Sequence, residues 1–578
     1  MAASSFSDPG SSFAMLASSF PELGDGLEAI GVVASYRFDA EQFERATSFG
    51  RPEQVEAGQV MFEAGDEDSD LILIESATID VIRTATDDAP EEFFIRSGPG
   101  QFVGEVNLLT GQTRILSARV IEGGTIHRVS PEAFRRLMAQ DTELSDILLR
   151  GFLARRALMR EGAGHNLEII GDAGTGPCLA LQTYMSRQEL PHLWFDSTSA
   201  AGRERMAAVQ VSDDDLPAMV TPRETLRRVT PGLLGQKLGL AYRRTPKGIA
   251  DLTIVGAGPA GLAAAVYGAS EGLETVLLDA ITTGGQAAAS SRIENYLGFP
   301  FGLSGATLTS RAAVQALKFG AHLASPCGVA SLQQSDNGLH IATLTDGTEI
   351  PTRSVIVATG AAYRALPVDR WTDFVGAGIY YAATDLEAKA IAGWPVTVVG
   401  GANSAGQAAL YLARHAGAVT LVVRGPDLGA GMSAYLVNRI RADPRITIRT
   451  STEVTALAGA DRLEEITLTD SISGTADPCG CTGLFCFIGA EPATDWLTGV
   501  ALDDAGFIPT DVQLSPAQLG PVWQQLGRSP LPYETSLPGV FAAGDVRLSS
   551  MKRVAAAVGE GASAVRSVHQ AIALLPPA

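Results

Sequence analysis

The chain is short of positive charge, histidine and cysteine, and it lacks any long uninterrupted apolar run. Its 43 Lys and Arg against 64 Asp and Glu leave a net charge of −21, which disfavours nucleic acid or an anionic membrane as partner, because both need a basic footprint. No apolar stretch has the length and continuity of a membrane span. The first residues, MAASSFSDPGSSFAML, carry neither a basic leader nor a continuous apolar segment. They read as a small-residue tail, and the expected location is cytoplasmic. Seven scattered histidines and five cysteines (Cys178, Cys327, Cys479, Cys481, Cys486) offer no cluster of zinc-ligand spacing, so no metal is expected. An odd cysteine count also argues against a disulfide framework. Cys479-Gly-Cys481 is the one close pair, and it reads as small residues where a loop enters a strand, with a redox or metal site as the alternative.

What is abundant is glycine, 62 residues of 578. Much of it follows β-branched runs, as in LTIVGAGPAG and VTVVGGANSAG. Each is strand, tight turn and helix, the signature of a βαβ nucleotide site, and two of them imply two dinucleotides. The length predicts three or four domains. The expected fold is multidomain: two Rossmann-type three-layer α/β domains, preceded by a β-barrel and a small α/β domain. We expect a tail over 1–30 and a barrel of short alternating strands with a C-terminal helix over 31–164, the helical pattern running from Pro131 to Met159. A compact α/β domain over 165–240 and a linker over 241–250 follow. The first Rossmann domain takes 251–365 plus 490–575 and the second 366–489.

In the first unit Gly256 permits the turn, Gly258 lets the backbone approach a pyrophosphate, and Gly261 lets helix pack on strand. About twenty residues on, Asp279 ends the strand TVLLD, where a carboxylate accepts from a ribose hydroxyl. Further along come GGQ at 284–286, ENYLGFP from Glu294, IVATGA around Thr359, LFCFIGAEPAT, and ETSLPGVFAAGDV followed by KRVAAAVGEG. In this order and spacing these segments resemble those of thioredoxin reductases. The resemblance implies FAD held by Gly256, Gly258, Gly261, Asp279, Gly285, Gln286, Asn295, Thr359, Gly360, Gly544, Asp545, Arg553 and Val554. The second unit resembles the same family's nicotinamide loop and implies NAD(P)H at Gly400, Gly401, Asn403, Ser404 and Ala405, with Ala402 in place of a glycine. Only Arg424 stands where the family carries several basic residues for a 2′-phosphate; NADPH is expected, with NADH open. A homodimer is also implied.

The family's nicotinamide domain carries a Cys-x-x-Cys followed by an acid. The matching stretch here is Gly378-Ile379-Tyr380-Tyr381-Ala382-Ala383-Thr384-Asp385-Leu386, which puts Ala382 and Asp385 in the cysteine slots and Leu386 in the acid slot. Neither alanine nor aspartate takes part in thiol–disulfide exchange. Asp385 is a candidate proton donor, or the N-cap of the helix DLEAKA, or both. The loop Gly174-Thr175-Gly176-Pro177-Cys178 resembles a thioredoxin active-site loop with threonine in place of the first cysteine, and Leu216-Pro217 matches the cis-proline of such sites, so 165–240 reads as a degenerate thioredoxin-like domain.

In the barrel, Val103 to Arg114 resembles the phosphate-binding cassette of cyclic-nucleotide-binding domains, implying a ligand held by Gly104, Glu105 and Arg114. Ile115 and Leu116 stand where small residues are usual, and a scaffold or dimerisation role is the other reading. The expected activity is hydride transfer from NAD(P)H to FAD, then electron transfer to a non-disulfide acceptor, a small redox protein or small molecule. The alternatives are a thioredoxin-disulfide reductase recruiting Cys178 or Cys479 and Cys481, and a ligand-responsive redox sensor.

Overall fold

The computed structural model describes residues 27–574, except 67–69, 84–90, 105–106, 111, 115, 160–166, 189, 191, 222–223, 243–247, 291–292, 294, 336–337, 376, 382, 384 and 461. The N-terminal unit is two four-stranded antiparallel sheets facing each other, flanked by helices. Glu92–Ser97 is an edge strand with only Ser97 buried, whereas Leu71–Ile74 is buried on both faces, Leu71 and Leu73 against Phe102, Phe134 and Phe152 and Ile72 and Ile74 among the barrel's inner strands. The helix Leu27–Ala34 corrects the expected tail. Ile30 and Ala34 are fully buried in the barrel's helical core, so ordered packing begins inside the segment that small residues suggested was free. Asp141 splits the long helical pattern into Pro131–Gln140 and Thr142–Leu158, since its carboxylate caps the second helix at Leu144 N.

The next unit alternates strand and helix, as a compact α/β domain does. Strand Glu168–Gly171, helix Gly176–Arg187, strand Leu193–Asp196, helix Ala200–Ala208, strands Ala218–Val220 and Thr225–Leu226 and helix Pro231–Lys237 occur in that order. The first strand is central, parallel to the second and antiparallel to the third, which pairs in turn with the fourth. The Leu216–Pro217 peptide is cis, as the resemblance implied.

From Ala250 a parallel sheet is built around the strands Ala250–Val255 and Glu349–Val357. Thr275–Leu278 and His322–Ala324 lie on one side and Val540–Ala542 on the other, with an antiparallel hairpin at the edge. Its central strands are buried on both faces: Leu252, Ile254 and Ile356 pack under the helices Pro259–Ser270 and Val554–Ala573, which also pack on each other, while Val255, Val355 and Val357 pack against Leu332, Ala342 and Leu344 of the hairpin and against Leu497 and Ile508. The intervening segment forms a second, all-parallel five-stranded sheet and a three-stranded antiparallel one. Two short antiparallel strands, Ala361–Tyr363 and Ala490–Pro492, carry the chain out and back.

Candidate functional site

The first glycine loop is shaped by close approach. Gly256 has φ +105 and faces Ala358 O, so a side chain there would strike backbone, and a Cβ on Gly261 would strike Gly256 O. Gly258 differs, because the nearest atom to a Cβ there would be Gly285 Cα at 3.9 Å, which leaves its face open. Gly258 also caps the helix Pro259–Ser270, whose first N–H groups point into that opening. Gly285, at φ +53, closes the far side. This cradle fits a pyrophosphate, since backbone donors line it and no side chain fills it.

Asp279 does more than end its strand. One carboxylate oxygen accepts from Ala257 N at 2.7 Å in the glycine loop, and the other accepts from Ile281 N and Thr282 N, both at 2.9 Å. Burial pushes its pKa up and these three bonds oppose that shift. The residue thus fixes two loops around the cradle while keeping acceptor capacity for a hydroxyl.

Opposite, Gly544 has φ +78 and approaches Ala260. Asp545 is driven upward by burial, with Lys552 pulling it down and Glu560 pushing it up. Arg553 is exposed just before the helix Val554–Ala573, whose N-terminus faces the same region. Gln286 donates to Ala361 O, and Thr359 donates to Ala493 O at 2.8 Å, so these side chains fasten the crossing strands. Gly360 makes the adjacent turn at φ +67. Asn295 is exposed. Sequence reasoning missed Glu560, whose bonds to Gly544 N and Arg547 hold the Gly-Asp turn; an acid between two glycines, GEG, in the second turn of the helix Val554–Ala573 was the available signal.

The second loop repeats the plan. Gly400, at φ +147, faces Phe487 O, and Ala402 begins the helix Asn403–Leu412 with its methyl exposed to the loop. Asn403 Oδ1 accepts from Ser433 N at 2.8 Å, while Ser433 Oγ is buried without a hydrogen-bond partner beside it. An orphaned hydroxyl at the helix N-terminus suits a polar ligand there. Ser404 is exposed, Ala405 is buried, and Arg424 is exposed at the end of Ala418–Val422, with no ion pair among the described residues. The donors present fit a second dinucleotide.

The stretch in which the resemblance expects a redox disulfide runs from the strand Ile379–Tyr380 into the helix Asp385–Ala390. Tyr381 accepts from Trp371 Nε1 at 2.8 Å, and Ala383 is buried. Ala382 lies outside the described residues. Asp385 is the first residue of that helix.

All five cysteines are free. Burial is the largest influence on each thiol and pushes every one up, Cys481 and Cys486 to about 11. Cys178 lines a cavity of about 340 Å³ with Asp172, Thr175, Arg203, Asp213 and Pro217. The loop carrying it abuts the second Rossmann domain, where Gly174 faces Arg462 and Gly176 faces Val375.

In the barrel, Arg114 is buried, its guanidinium 3.6 Å from the Phe62 ring centroid and donating to Asp70 O at 3.2 Å. At Gly104 a side chain would press on the Leu108 and Leu71 methyls, and the Gly104 carbonyl accepts from Arg155 at 2.9 Å. Glu105 lies outside the described residues. Among the described residues no group of side chains is placed to hold a metal ion, and no helix is long and apolar enough to cross a membrane.

Two glycine-loop Rossmann domains joined by paired crossing strands define a flavin- and nicotinamide-dependent oxidoreductase fold. Residues 250–561, more than half the chain, match the pyridine nucleotide-disulphide oxidoreductase family, and the chain belongs to it. Residues 52–141 match the cyclic nucleotide-binding domain. The thioredoxin reductase of Treponema pallidum is 32% identical over 317 residues, covering 55% of this chain and 95% of that protein. That of Streptomyces clavuligerus is 33% identical over 331 residues, with 57% and 95% covered. Among solved structures, the T. acidophilum thioredoxin reductase is 28% identical with a TM-score of 0.49, covering 56% of this chain and 98% of that one. The chain is an FAD-dependent NAD(P)H oxidoreductase of the thioredoxin reductase-like type, with a cyclic-nucleotide-binding-type domain ahead of it.

Proposed function

We propose that this protein takes hydride from NAD(P)H onto FAD and delivers the electrons to an acceptor other than a disulfide of its own. FAD, when bound, supplies the two-electron chemistry. The chain supplies the two cradles, with Gly256, Gly258, Gly261, Asp279, Gly544 and Asp545 for FAD and Gly400, Gly401, Ser404, Ala405 and Arg424 for the nicotinamide cofactor.

The observation that carries the reading is the state of the thiols. Ala382 and Asp385 stand in the cysteine slots, and each of the five cysteines elsewhere is shifted away from the thiolate that exchange chemistry needs. The acceptor is therefore a small redox protein, a quinone-like small molecule or oxygen. Asp385, at a helix start and itself in one of the two cysteine slots, is the proton donor in this reading. The reading includes a cytoplasmic homodimer and an anionic nucleotide at the barrel cassette.

Anaerobic stopped-flow reduction by NADPH and by NADH, followed by an acceptor panel, tests it. Rapid flavin reduction and turnover undiminished in a variant with all five cysteines replaced by serine are expected. Reduction of a thioredoxin by wild type, lost on Cys178→Ser, would overturn the choice of acceptor in favour of a disulfide reductase.

A further inference from the structure

The barrel and the flavin cradle are joined by side chains that neither site requires for its own fold. Helix Asn107–Thr110 of the phosphate cassette packs on helix Gly305–Lys318 of the flavin domain, and Lys318 pairs with Asp146 of the barrel's long helix at 2.6 Å. The cassette continues into the small α/β domain, where Thr113 N donates to Leu238 O at 3.0 Å.

Arg156, in the last turn of that long helix, reaches both ways. Its Nη1 donates to Gln112 Oε1 of the cassette at 3.4 Å and its Nη2 to Gln188 O at 2.8 Å. Gln112 is buried, with Nε2 unpartnered. From Gln188 the path enters the flavin domain, since Nε2 donates to Thr282 Oγ1 at 3.2 Å and to Ser325 Oγ at 2.6 Å. Thr282 N donates to Asp279, which holds Ala257 of the glycine loop. The path from cassette to flavin carboxylate thus runs through Gln112, Arg156, Gln188, Thr282 and Asp279.

We propose that Gln188 is a positioning residue for the flavin site, holding Thr282 and through it Asp279, and that Arg156 makes this hold responsive to an anionic nucleotide in the barrel cassette. Gln188 and Thr282 lie in different domains, so a shift of one domain on the other breaks the bond between them. A ligand drawing on Gln112 competes for a group that anchors Arg156, whose Nη2 in turn holds the Gln188 backbone. Coupling of this kind is reciprocal: a ligand that loosens the flavin is itself loosened by it. The proposal rests on the flavin reading of the Asp279 cradle.

The test uses flavin-replete full-length protein and follows FAD release into a scavenging apoflavoprotein. Gln188→Ala and Thr282→Val are expected to release FAD at least fivefold faster, with Thr282→Ser, which keeps the hydroxyl, close to wild type; thermal midpoints are recorded alongside. Saturating cyclic AMP is expected to change wild-type release at least threefold and to leave Arg156→Met unmoved. Wild-type release rates in Gln188→Ala and Thr282→Val overturn the positioning role. Cyclic AMP without effect on wild type, or with equal effect on Arg156→Met, overturns the coupling. A wild-type chain that carries no flavin at all sinks the cradle reading itself, which the absorption spectrum reports before any variant is made.

Discussion

Glu560 and Arg547 form a two-point pair beneath the Gly-Asp turn, with Oε1 2.7 Å from Nη2 and Oε2 3.0 Å from Nε, and Oε2 also accepts from Gly544 N at 2.8 Å. Both side chains are mostly shielded, at 10% and 16% exposure, so this pair differs from the surface ion pairs that contribute little. Removing one partner strands the other. Glu560→Ala is expected to lose about 3–5 kcal/mol of stability and to carry less flavin, read by urea denaturation and by the flavin-to-protein absorbance ratio. Full flavin content and unchanged stability would remove Glu560 from the site.

The two glycines of the first loop should fail in different ways. Gly261→Ala drives a methyl into Gly256 O and is expected to destabilise the fold or displace the helix Pro259–Ser270. Gly258→Ala meets only Gly285 Cα at 3.9 Å, so its folding should be near normal while FAD affinity drops at least tenfold. Equal loss of thermal midpoint in both variants would contradict the assignment of the open face to the ligand.

His340 ties stability to pH. It is fully buried, with Nδ1 unpartnered, and burial holds its pKa at about 4 against the usual 6.5, opposed by a bond with the Pro538 backbone. The unfolded chain takes up a proton below pH 6.5 that the native state refuses. Its contribution is therefore constant above pH 6.5 and is lost as pH falls toward about 4, by about 3 kcal/mol in all. Urea midpoints at pH 7.5 and 5 should diverge in wild type and diverge less in His340→Gln, which does not titrate.

Native thiols should be slow. With all five pushed upward by burial, iodoacetamide at pH 7 is expected to modify less than one cysteine per native chain in the time that labels all five in urea. Cys479, half-buried in Ala476–Gly480, should react first. Fast labelling of Cys178 would reopen the disulfide-reductase reading.

The glycine loops were legible because their cause is local. A turn that needs φ near +105 at Gly256, or a helix that must meet Gly256 O at Gly261, admits one residue type, and a single strand-turn-helix segment displays it. The cis bond at Leu216–Pro217 was reached by resemblance to thioredoxin sites rather than by local reading. The absence of cysteine from 378–386 was legible directly, since Ala382 and Asp385 are covalent facts. The helix Leu27–Ala34 was not read, although LEAIGVVA has helical apolar spacing, because flanking small residues outweighed it.

The remainder depended on which distant groups meet. Arg114 has the spacing of a phosphate ligand, yet packing set it against Phe62, 52 positions earlier in the chain. Asp279 was read as a ribose acceptor, and folding also gave it three backbone donors from two loops. Gln188 and Thr282 are unremarkable letters 94 residues apart, joined only because two domains close on each other. The sequence determined the two glycine loops and the absence of cysteine from 378–386, through residue chemistry that no packing can replace. Tertiary structure decided which side chains hold the cradles and what they are wired to, because hydrogen bonds between domains have no period or spacing along the chain.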